Sequence, residues 1–275
     1  MAFIRHIAIA SQDPAGTAEF YKKHFDLKEL YRNPHDTGED GVWLSDGYIY
    51  FAILKHGPRT PLLGPEQSSD FCGIHHIGFM VDDQRAKVAE LAGAFGGMLL
   101  IDEAYADFAR DNCIGLIGRF RNVLVTRTLS KAYGLAGLRF GYAAGQAEVI
   151  AEMMKVKDSY NCDAVAIAAA SAALEDQEYA RRVWADIVSE RRRLSEELEK
   201  LGWPVLPSEA NFVLAGVPGG NGKEAYLGLK EQGILVRYFD LPGLTDRLRI
   251  TVGTSQETNA LIGGIKALSL ADKAA

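Results

Sequence analysis

The sequence is poor in cysteine and contains no long apolar run. Its three cysteines, Cys72, Cys113 and Cys162, are unevenly spaced and odd in number, which fits a reducing cytoplasm better than a disulfide framework. No apolar stretch approaches the ~20 residues that cross a bilayer. The first residues also lack the basic-then-apolar layout of a secretory signal. We therefore expect a cytoplasmic protein that does not enter a membrane.

An excess of positive charge is also absent. The chain has 30 lysines and arginines against 36 aspartates and glutamates, a formal charge of −6 and a pI near 5.6. Nucleic-acid-binding proteins usually present a basic face, so nucleic acid is not an expected partner. With 275 residues, the chain is near the size at which one hydrophobic core divides into two domains.

The character of the sequence changes near Gly96 and Gly97. Before them, short strands surround one helix, which begins at Asp13 and Pro14 as N-cap and first turn. Gly47 suits the turn of a hairpin because it tolerates a positive φ. The predicted strands are 3–10, 41–44, 48–54 and 74–81, the predicted helices are 13–25 and 84–95, and 57–69 is a predicted loop. A strand containing His6 and a strand containing His76 each precede a helix, so one unit occurs twice.

This repeat resembles the vicinal-oxygen-chelate (glyoxalase-like) superfamily, which pairs βαβββ modules. The resemblance covers residues 1–97 and implies an α+β domain with one full module and the start of a second. It also makes His6 and His76 candidate metal ligands for a dioxygenase or lyase. Catalytic metals normally have three protein ligands, and the late ligand position of the first module, in 48–54, has no carboxylate. Structural histidines are the favoured interpretation, and the prediction is no metal.

After the two glycines the pattern becomes α/β. Apolar runs at 99–101, 123–126 and 140–144 are typical of parallel strands covered on both faces. Helices are predicted at 146–157, 164–174 and 176–201. The last carries many charges, which indicate a solvated face: Arg181, Arg182, Glu190, Arg191, Arg192, Arg193, Glu196 and Glu197. A smaller α/β unit follows, with strands at 205, 212–214, 234–236 and 247–252 and helices at 222–231 and 257–268.

Two short motifs carry the chemistry of the second half. Lys131 lies among small and hydroxylated residues after an apolar run, with Thr128 and Ser130 before it and Arg139 after it. Such a loop offers an amine for an aldehyde and donors for a phosphate. Asp102 ends an earlier strand that we expect to be buried. Taken singly, the acid could cap a helix or bind a metal, and a lone Ser-Lys pair is common on surfaces.

Together with Tyr105, these motifs resemble the fold-type I, pyridoxal-phosphate (PLP)-dependent aminotransferases of class I/II, and most closely the histidinol-phosphate aminotransferases. The resemblance implies that Lys131 binds the PLP aldehyde and then moves a proton. It implies that Asp102 faces the ring nitrogen and Tyr105 the 3′ oxygen. Thr128, Ser130 and Arg139 would hold the phosphate. It also implies small-molecule substrates, a role in histidine biosynthesis and a homodimer.

Three further residues match substrate-binding positions of that family: Asn211, Arg237 and Arg249. The resemblance implies that the arginines bind a phosphate or the carboxylate of glutamate or 2-oxoglutarate. The alternative is that each arginine forms a local ion pair with an acid such as Asp240 or Asp246.

The first half of the family's large domain cannot be placed in residues 1–97. That half carries a glycine-containing phosphate loop at a helix N-terminus, where anions bind strongly. We therefore expect a vicinal-oxygen-chelate domain at 1–97, an incomplete large domain at 98–200 and a small domain at 201–275. Transfer of an amino group between imidazole-acetol phosphate and glutamate would be weak or absent. The alternatives are the metal enzyme above or an inactive fusion scaffold. Residues 97–101 could also complete the interrupted module.

Overall fold

A computed structural model of the chain describes residues 3–33, 40–55, 72–241 and 243–271. The chain divides into two compact units, Met1–Gln84 and Arg85–Ala275. The predicted loop at 57–69 lies outside the described residues. No helix in the described ranges is both long and apolar enough to cross a membrane.

The first unit is a mixed sheet with one helix against it. Its described strands lie in the order β2-β3-β4-β1-β5. A small apolar core forms around Ala18, Val42, Leu44 and Ile53. The elements are β1 (Phe3–Ala10), α1 (Pro14–Phe25), β2 (Lys28–Arg32), β3 (Asp40–Ser45), β4 (Tyr50–Lys55) and β5 (Gly73–Met80).

Local signals predicted this unit well. Asp13 caps α1 by accepting a hydrogen bond from the Gly16 amide, and Gly47 has a φ of 93° in the turn between β3 and β4. Strand β2, which pairs with β3, was not predicted from the sequence. The repeated strands β1 and β5 pair antiparallel, with His6 opposite Gly78 and Ala8 opposite His76. His6 and His76 therefore lie on the same face of the sheet.

The second unit begins within α2 (Gln84–Ala94), which a three-stranded sheet follows. Its strands are β6 (Leu99–Asp102), β7 (Val123–Thr128) and β8 (Gly141–Ala144), in that order across the sheet. Side chains of α2 pack with β6 and β7 in one apolar cluster, which includes Ala92, Ile101 and Val125. This packing explains why the chain divides at residue 84. The domain boundaries at 97 and 200 stay predictions.

Three expectations about this sheet are wrong. β8 runs antiparallel to β7, not parallel, and Gly141 permits the close approach because a Cβ there would lie 2.8 Å from the Arg127 carbonyl oxygen. β6 pairs with β7 in this sheet, so residues 97–101 do not complete the interrupted module. β6 is not covered on both faces, since Leu100 is 66% exposed.

A second sheet lies further along the same unit, with the strand order β11-β12-β10-β9. Its core combines Leu194 and Leu198 of a long helix with Val213, Leu248 and Ile265. The strand expected at 234–236 begins later, at Arg237. The remaining elements are α3 (Leu129–Ala132), α4 (Ala147–Val156), α5 (Ala164–Glu175), α6 (Gln177–Lys200), β9 (Val205–Leu206), β10 (Phe212–Gly216), α7 (Gly222–Glu231), β11 (Arg237–Tyr238), β12 (Arg247–Thr251) and α8 (Ser255–Ala271).

Candidate active site

The candidate site lies where β6 and β7 end. These strands are parallel, with Asp102 opposite Thr126, so their carboxyl ends share one edge of the sheet. Ligands of α/β proteins commonly bind at such an edge. Asp102 is the last residue of β6, and Lys131 lies in the short helix α3 that follows β7 directly. The topology therefore brings the predicted acid and the predicted amine to one side of the sheet.

Lys131 faces the phenol ring of Tyr105. Its Nζ atom lies 5.7 Å from the ring centroid, within the range of a cation–π contact. Thr128 fixes the start of α3, because its hydroxyl accepts a hydrogen bond from the Ser130 amide at 3.1 Å. The carbonyl of the neighbouring Ala132 accepts a 2.7 Å hydrogen bond from the Trp184 indole. The reactive candidate thus lies on a short, well-anchored helical turn.

The predicted phosphate donors also meet. Arg139 directs Nη1 to within 3.5 Å of the Ser130 hydroxyl and donates a 3.0 Å hydrogen bond to the Ala136 carbonyl. Its backbone has a φ of 52°, a left-handed conformation that is uncommon outside glycine. Such conformations cluster at functional sites. Ser130, Arg139 and Thr128 therefore form a compact set of hydroxyl and guanidinium donors beside Lys131.

Asp102 departs from the prediction in one respect. It is exposed, whereas we expected it at the end of a buried strand. Its carboxylate accepts a 3.0 Å hydrogen bond from the Ala104 amide, which closes a turn after β6. Within the described residues no ion pair joins Asp102 to Lys131. Leu100 and Asp102 alternate with the buried Ile101, so both side chains lie on the uncovered face of β6.

Aromatic rings connect Lys131 to the predicted substrate arginines. The Tyr105 ring meets the Phe212 ring edge-on, with centroids 5.6 Å apart. The guanidinium of Arg249 lies 5.2 Å from the Phe212 centroid and 5.6 Å from that of Phe239. A series of side-chain contacts therefore connects Lys131 to Arg249 through the rings of Tyr105 and Phe212.

Arg249 has unused hydrogen-bonding capacity. Its Nε atom is buried and has no hydrogen-bond partner among the described residues. The nearby acids have other partners, because Asp246 pairs with Arg247 at 3.4 Å and Asp240 accepts a hydrogen bond from Tyr238. A buried donor without a partner is costly, and a bound anion would satisfy it. The local ion pair considered for Arg249 is therefore not what the structure shows.

Arg237 and Asn211 lie beside this group. Arg237 is opposite Arg249 in the β11–β12 pair, and its guanidinium lies 5.3 Å from the Phe239 centroid. The Asn211 carbonyl accepts a 2.9 Å hydrogen bond from the Val252 amide, so its backbone is tied to the end of β12. Arg237 and Arg249 thus share the ring of Phe239, and Asn211 directly precedes Phe212, whose ring contacts Arg249.

A buried ion network that sequence reasoning missed lies behind the site. Arg127 of β7 donates to Glu103 at 2.7 Å and to Asp107 at 3.2 Å. A second oxygen of Glu103 accepts from the Cys113 amide. Burial raises the pKa of Asp107, although the charge of Arg127 opposes this shift. The network joins β7 to the turn that follows Tyr105, and no local pattern in the sequence indicates it.

A second missed group lies on α6, where the charged face was expected to be solvated. Glu190 and Arg191 are instead buried. Arg191 donates to the carbonyl oxygens of Ala210 at 2.7 Å and Phe108 at 3.2 Å. The periodicity carries a usable signal, because position 191 falls on the helical stripe formed by Trp184, Ile187, Leu194 and Leu198.

The first unit contains a separate pair of imidazoles. The Nε2 atoms of His6 and His76 lie 3.0 Å apart, and the rings are 4.9 Å apart. His75 also contacts His76, with 2.7 Å between their Nδ1 atoms, although successive strand residues normally face opposite ways. Burial lowers the pKa of His76, and the charges of His6 and His75 lower it further. The described residues contain no cluster of three or more His, Cys, Asp or Glu side chains that could hold a metal.

Two family models match the chain. The model described as "Aminotransferase class I and II" matches residues 81–265, and the model described as "Glyoxalase/Bleomycin resistance protein/Dioxygenase superfamily" matches residues 3–96. The first match covers more than half of the chain. The chain therefore belongs to the class I and II aminotransferases, and it carries a glyoxalase-like region in front. The two matches overlap at 81–96, the segment that contains α2.

Curated relatives of this chain include several histidinol-phosphate aminotransferases. A histidinol-phosphate aminotransferase of Syntrophotalea carbinolica is 49% identical over 254 residues, which cover 87% of this chain and 73% of the relative. That of Rhodopirellula baltica is 49% identical over 176 residues, with 64% of this chain and 49% of the relative covered. The chain spans about half the length of the first relatives it matches, 49% and 58%.

Solved structures agree with this fold assignment. A histidinol-phosphate aminotransferase from Clostridium acetobutylicum matches with a TM-score of 0.61 and 26% identity, covering 70% of this chain and 60% of that one. One from Sinorhizobium meliloti, in complex with pyridoxal-5'-phosphate, matches with a TM-score of 0.57 and 30% identity. That match covers 67% of this chain and 53% of the other.

Proposed function

We propose that the second unit binds PLP through Lys131 and carries the amino-transfer chemistry of the histidinol-phosphate aminotransferases. The observation that carries this proposal is the position of the Lys131 amine, 5.7 Å from the Tyr105 ring, at the sheet edge where β6 and β7 end. The relatives support the same reading, because several histidinol-phosphate aminotransferases are 38–49% identical to this chain.

The residues present fit the cofactor chemically. Lys131 supplies the amine for the aldehyde, and Tyr105 supplies a phenol beside that amine. The Ser130 and Arg139 pair, with Thr128, supplies hydroxyl and guanidinium donors of the kind that phosphate binds. Asp102, at the same sheet edge, supplies a carboxylate for a protonated ring nitrogen. When bound, PLP supplies an electron sink for the negative charge that develops on the substrate Cα.

Each residue of the candidate site would then have its own role in the reaction. Lys131 would take the proton from the substrate Cα through its Nζ atom, since an amine in a desolvated or neutralised state is an effective base. The carboxylate of Asp102 would stabilise the positive charge of the protonated ring nitrogen. Arg249, with its unused buried Nε, would bind the carboxylate of the substrate, and Arg237 and Asn211 would line the same end of the site.

The substrate pair of this proposal is imidazole-acetol phosphate and glutamate. Both carry anionic groups that two neighbouring arginines can bind, since Arg237 and Arg249 lie opposite each other on β11 and β12. The imidazole side chain is proposed because the relatives of this chain include histidinol-phosphate aminotransferases. We propose slow turnover, because water surrounding the exposed carboxylate of Asp102 weakens its field at a ring nitrogen.

A spectroscopic titration tests the cofactor assignment without depending on turnover. PLP is added to the full chain, and the visible absorption band of the lysine-bound cofactor is recorded. We expect a saturable band that is lost in Lys131→Ala. Lys155→Ala is the matched control, since Lys155 is exposed and ion-paired with Glu152, and it should behave like the original chain. A band that survives Lys131→Ala refutes the assignment.

We further propose that the chain works as a cytoplasmic homodimer, with domains at 1–97, 98–200 and 201–275. Closed two-fold dimers are the commonest oligomers of soluble enzymes. Light scattering of the purified chain at micromolar concentration tests the dimer. A mass of twice 30.0 kDa is expected, and a mass of 30.0 kDa contradicts the dimer.

A further inference from the structure

Helix α6 carries a buried cation whose hydrogen bonds go to backbone carbonyls. Arg191 is buried, and within the described residues its guanidinium forms no ion pair. It donates to two backbone carbonyls instead, Ala210 at 2.7 Å and Phe108 at 3.2 Å. Burial lowers the pKa of Arg191, although the charge of Glu209 opposes this shift. A charge kept in such surroundings is costly unless its hydrogen bonds are satisfied, so these two contacts determine whether the position tolerates arginine.

The two carbonyls belong to segments that meet at the candidate site. Phe108 ends the short turn Ala106–Phe108, and its amide donates to the carbonyl of Tyr105. Ala210 precedes Asn211 and Phe212. Arg110 and Glu209, from the same two segments, form an ion pair on the exposed side. The two segments are therefore held together by one buried guanidinium and one surface pair, with the Tyr105–Phe212 ring contact beside them.

The same helix also contacts α3, the short helix that contains Lys131. Trp184 donates to the carbonyl of Ala132, next to Lys131, and its ring meets that of Tyr133 edge-on. Positions 184 and 191 are seven residues apart, which is about two helical turns and one face of the helix, roughly 10 Å along its axis. Helix α6 thus contacts the turn that contains Lys131 through Trp184. About two helical turns further along, it contacts the segments next to Tyr105 and Phe212 through Arg191.

We propose that Arg191 is a positioning residue, which sets the placement of Tyr105 and Phe212 relative to Lys131 by bridging the carbonyls of Phe108 and Ala210. Arginine suits the task because its planar guanidinium presents several donors in fixed directions, whereas a lysine ammonium is a point charge on a flexible stem. This inference rests on the proposed function for its consequence in catalysis. The bridge itself is a property of the cofactor-free chain.

The test compares Arg191→Met, Arg191→Lys and, as a matched control, Arg192→Met, whose side chain is exposed on the same helix. Hydrogen exchange is measured on the cofactor-free chain, and PLP affinity is measured from the visible band. In Arg191→Met, we expect faster exchange in both 105–110 and 208–212 and a roughly tenfold higher PLP dissociation constant, since the carbonyls of Phe108 and Ala210 lose their donor. Arg192→Met should match the original chain.

Arg191→Lys makes the test independent of misfolding in the methionine variant. Lysine can reach one of the two carbonyls, so we expect an unchanged melting temperature within a few degrees but an intermediate PLP affinity and faster exchange in one segment. Wild-type exchange and affinity in Arg191→Lys or in Arg191→Met would overturn the proposal. If the original chain shows no PLP band, the proposed function fails, and the exchange measurement still decides whether Arg191 bridges the two segments.

Discussion

Arg237 and Arg249 lie opposite each other in the β11–β12 pair and place their guanidinium groups over the same ring, that of Phe239. Two like charges on neighbouring strands repel each other. The shared aromatic face and an approaching anion both reduce that repulsion. This pair is linked through Phe212 and Tyr105 to Lys131, so the amine lies at one end of the candidate site and the two arginines proposed to bind anions lie at the other.

Arg249→Lys tests the anion-binding end. The variant keeps the charge but loses the planar fork and the buried Nε donor. We expect roughly tenfold or greater weakening of 2-oxoglutarate and glutamate binding to the PLP-loaded chain. The PLP band itself should not change. Spectral titration with each dicarboxylate measures the effect, and Arg247→Lys, which alters the neighbouring ion-paired arginine, is the control. Equal affinities in the Arg249 and Arg247 variants would exclude Arg249 as the anion site.

The buried network behind the site predicts a large stability effect. Arg127→Met leaves Glu103 and Asp107 buried beside each other without their cation. Removing one partner of a buried ion pair typically costs about 3–5 kcal/mol of unfolding free energy. Arg121→Met removes an exposed pair with Glu148 and should cost about 0–1 kcal/mol. Chemical denaturation of both variants compares the two costs. Similar losses in both would show that the network contributes no more than a surface pair.

Local signals predicted the elements of this chain better than its non-local arrangement. The Asp13 cap, the Gly47 turn and the helix at 222–231 depend on neighbouring residues, and all are present. The direction of β8 and the exposure of Asp102 depend on which elements lie beside their strands. Local sequence patterns do not indicate those neighbours. The apolar run at β6 predicted a covered strand, because apolar residues indicate burial but do not show which elements cover each face.

In the candidate site, too, the residues in local motifs were predicted and the non-local contacts were not. Lys131, Tyr105, Ser130 and Arg139 were predicted because they occur in short motifs that together resemble one family, and the structure brings them close together. Arg191 was assigned to a solvated face because it lies among charged neighbours. Its partners are backbone carbonyls from distant segments, and carbonyls leave no mark in the sequence. The helical spacing from Trp184 was the signal that could have separated Arg191 from Arg192.

A surface cluster in the first unit predicts a pH dependence. Hydrogen bonds from Arg32, aided by Lys22, lower the pKa of Glu29 from 4.5 to about 2, although burial opposes the shift. A lowered pKa in the folded state stabilises the fold above the ordinary value, and that contribution is lost as the pH falls from 4.5 towards 2. NMR titration of the Glu29 carboxyl should give this low midpoint, and Arg32→Gln should raise it. A midpoint near 4.5 in the original chain contradicts the arrangement.

Covalent trapping tests the role of Lys131 most directly. The full chain is incubated with PLP, reduced with borohydride and digested, and the modified peptide is located by mass spectrometry. We predict that the cofactor is found on Lys131 and that free phosphate ions compete with its attachment, because Ser130 and Arg139, which contact each other, are the proposed phosphate ligands. Labelling spread over exposed lysines such as Lys155, with Lys131 unmodified, would contradict the assignment.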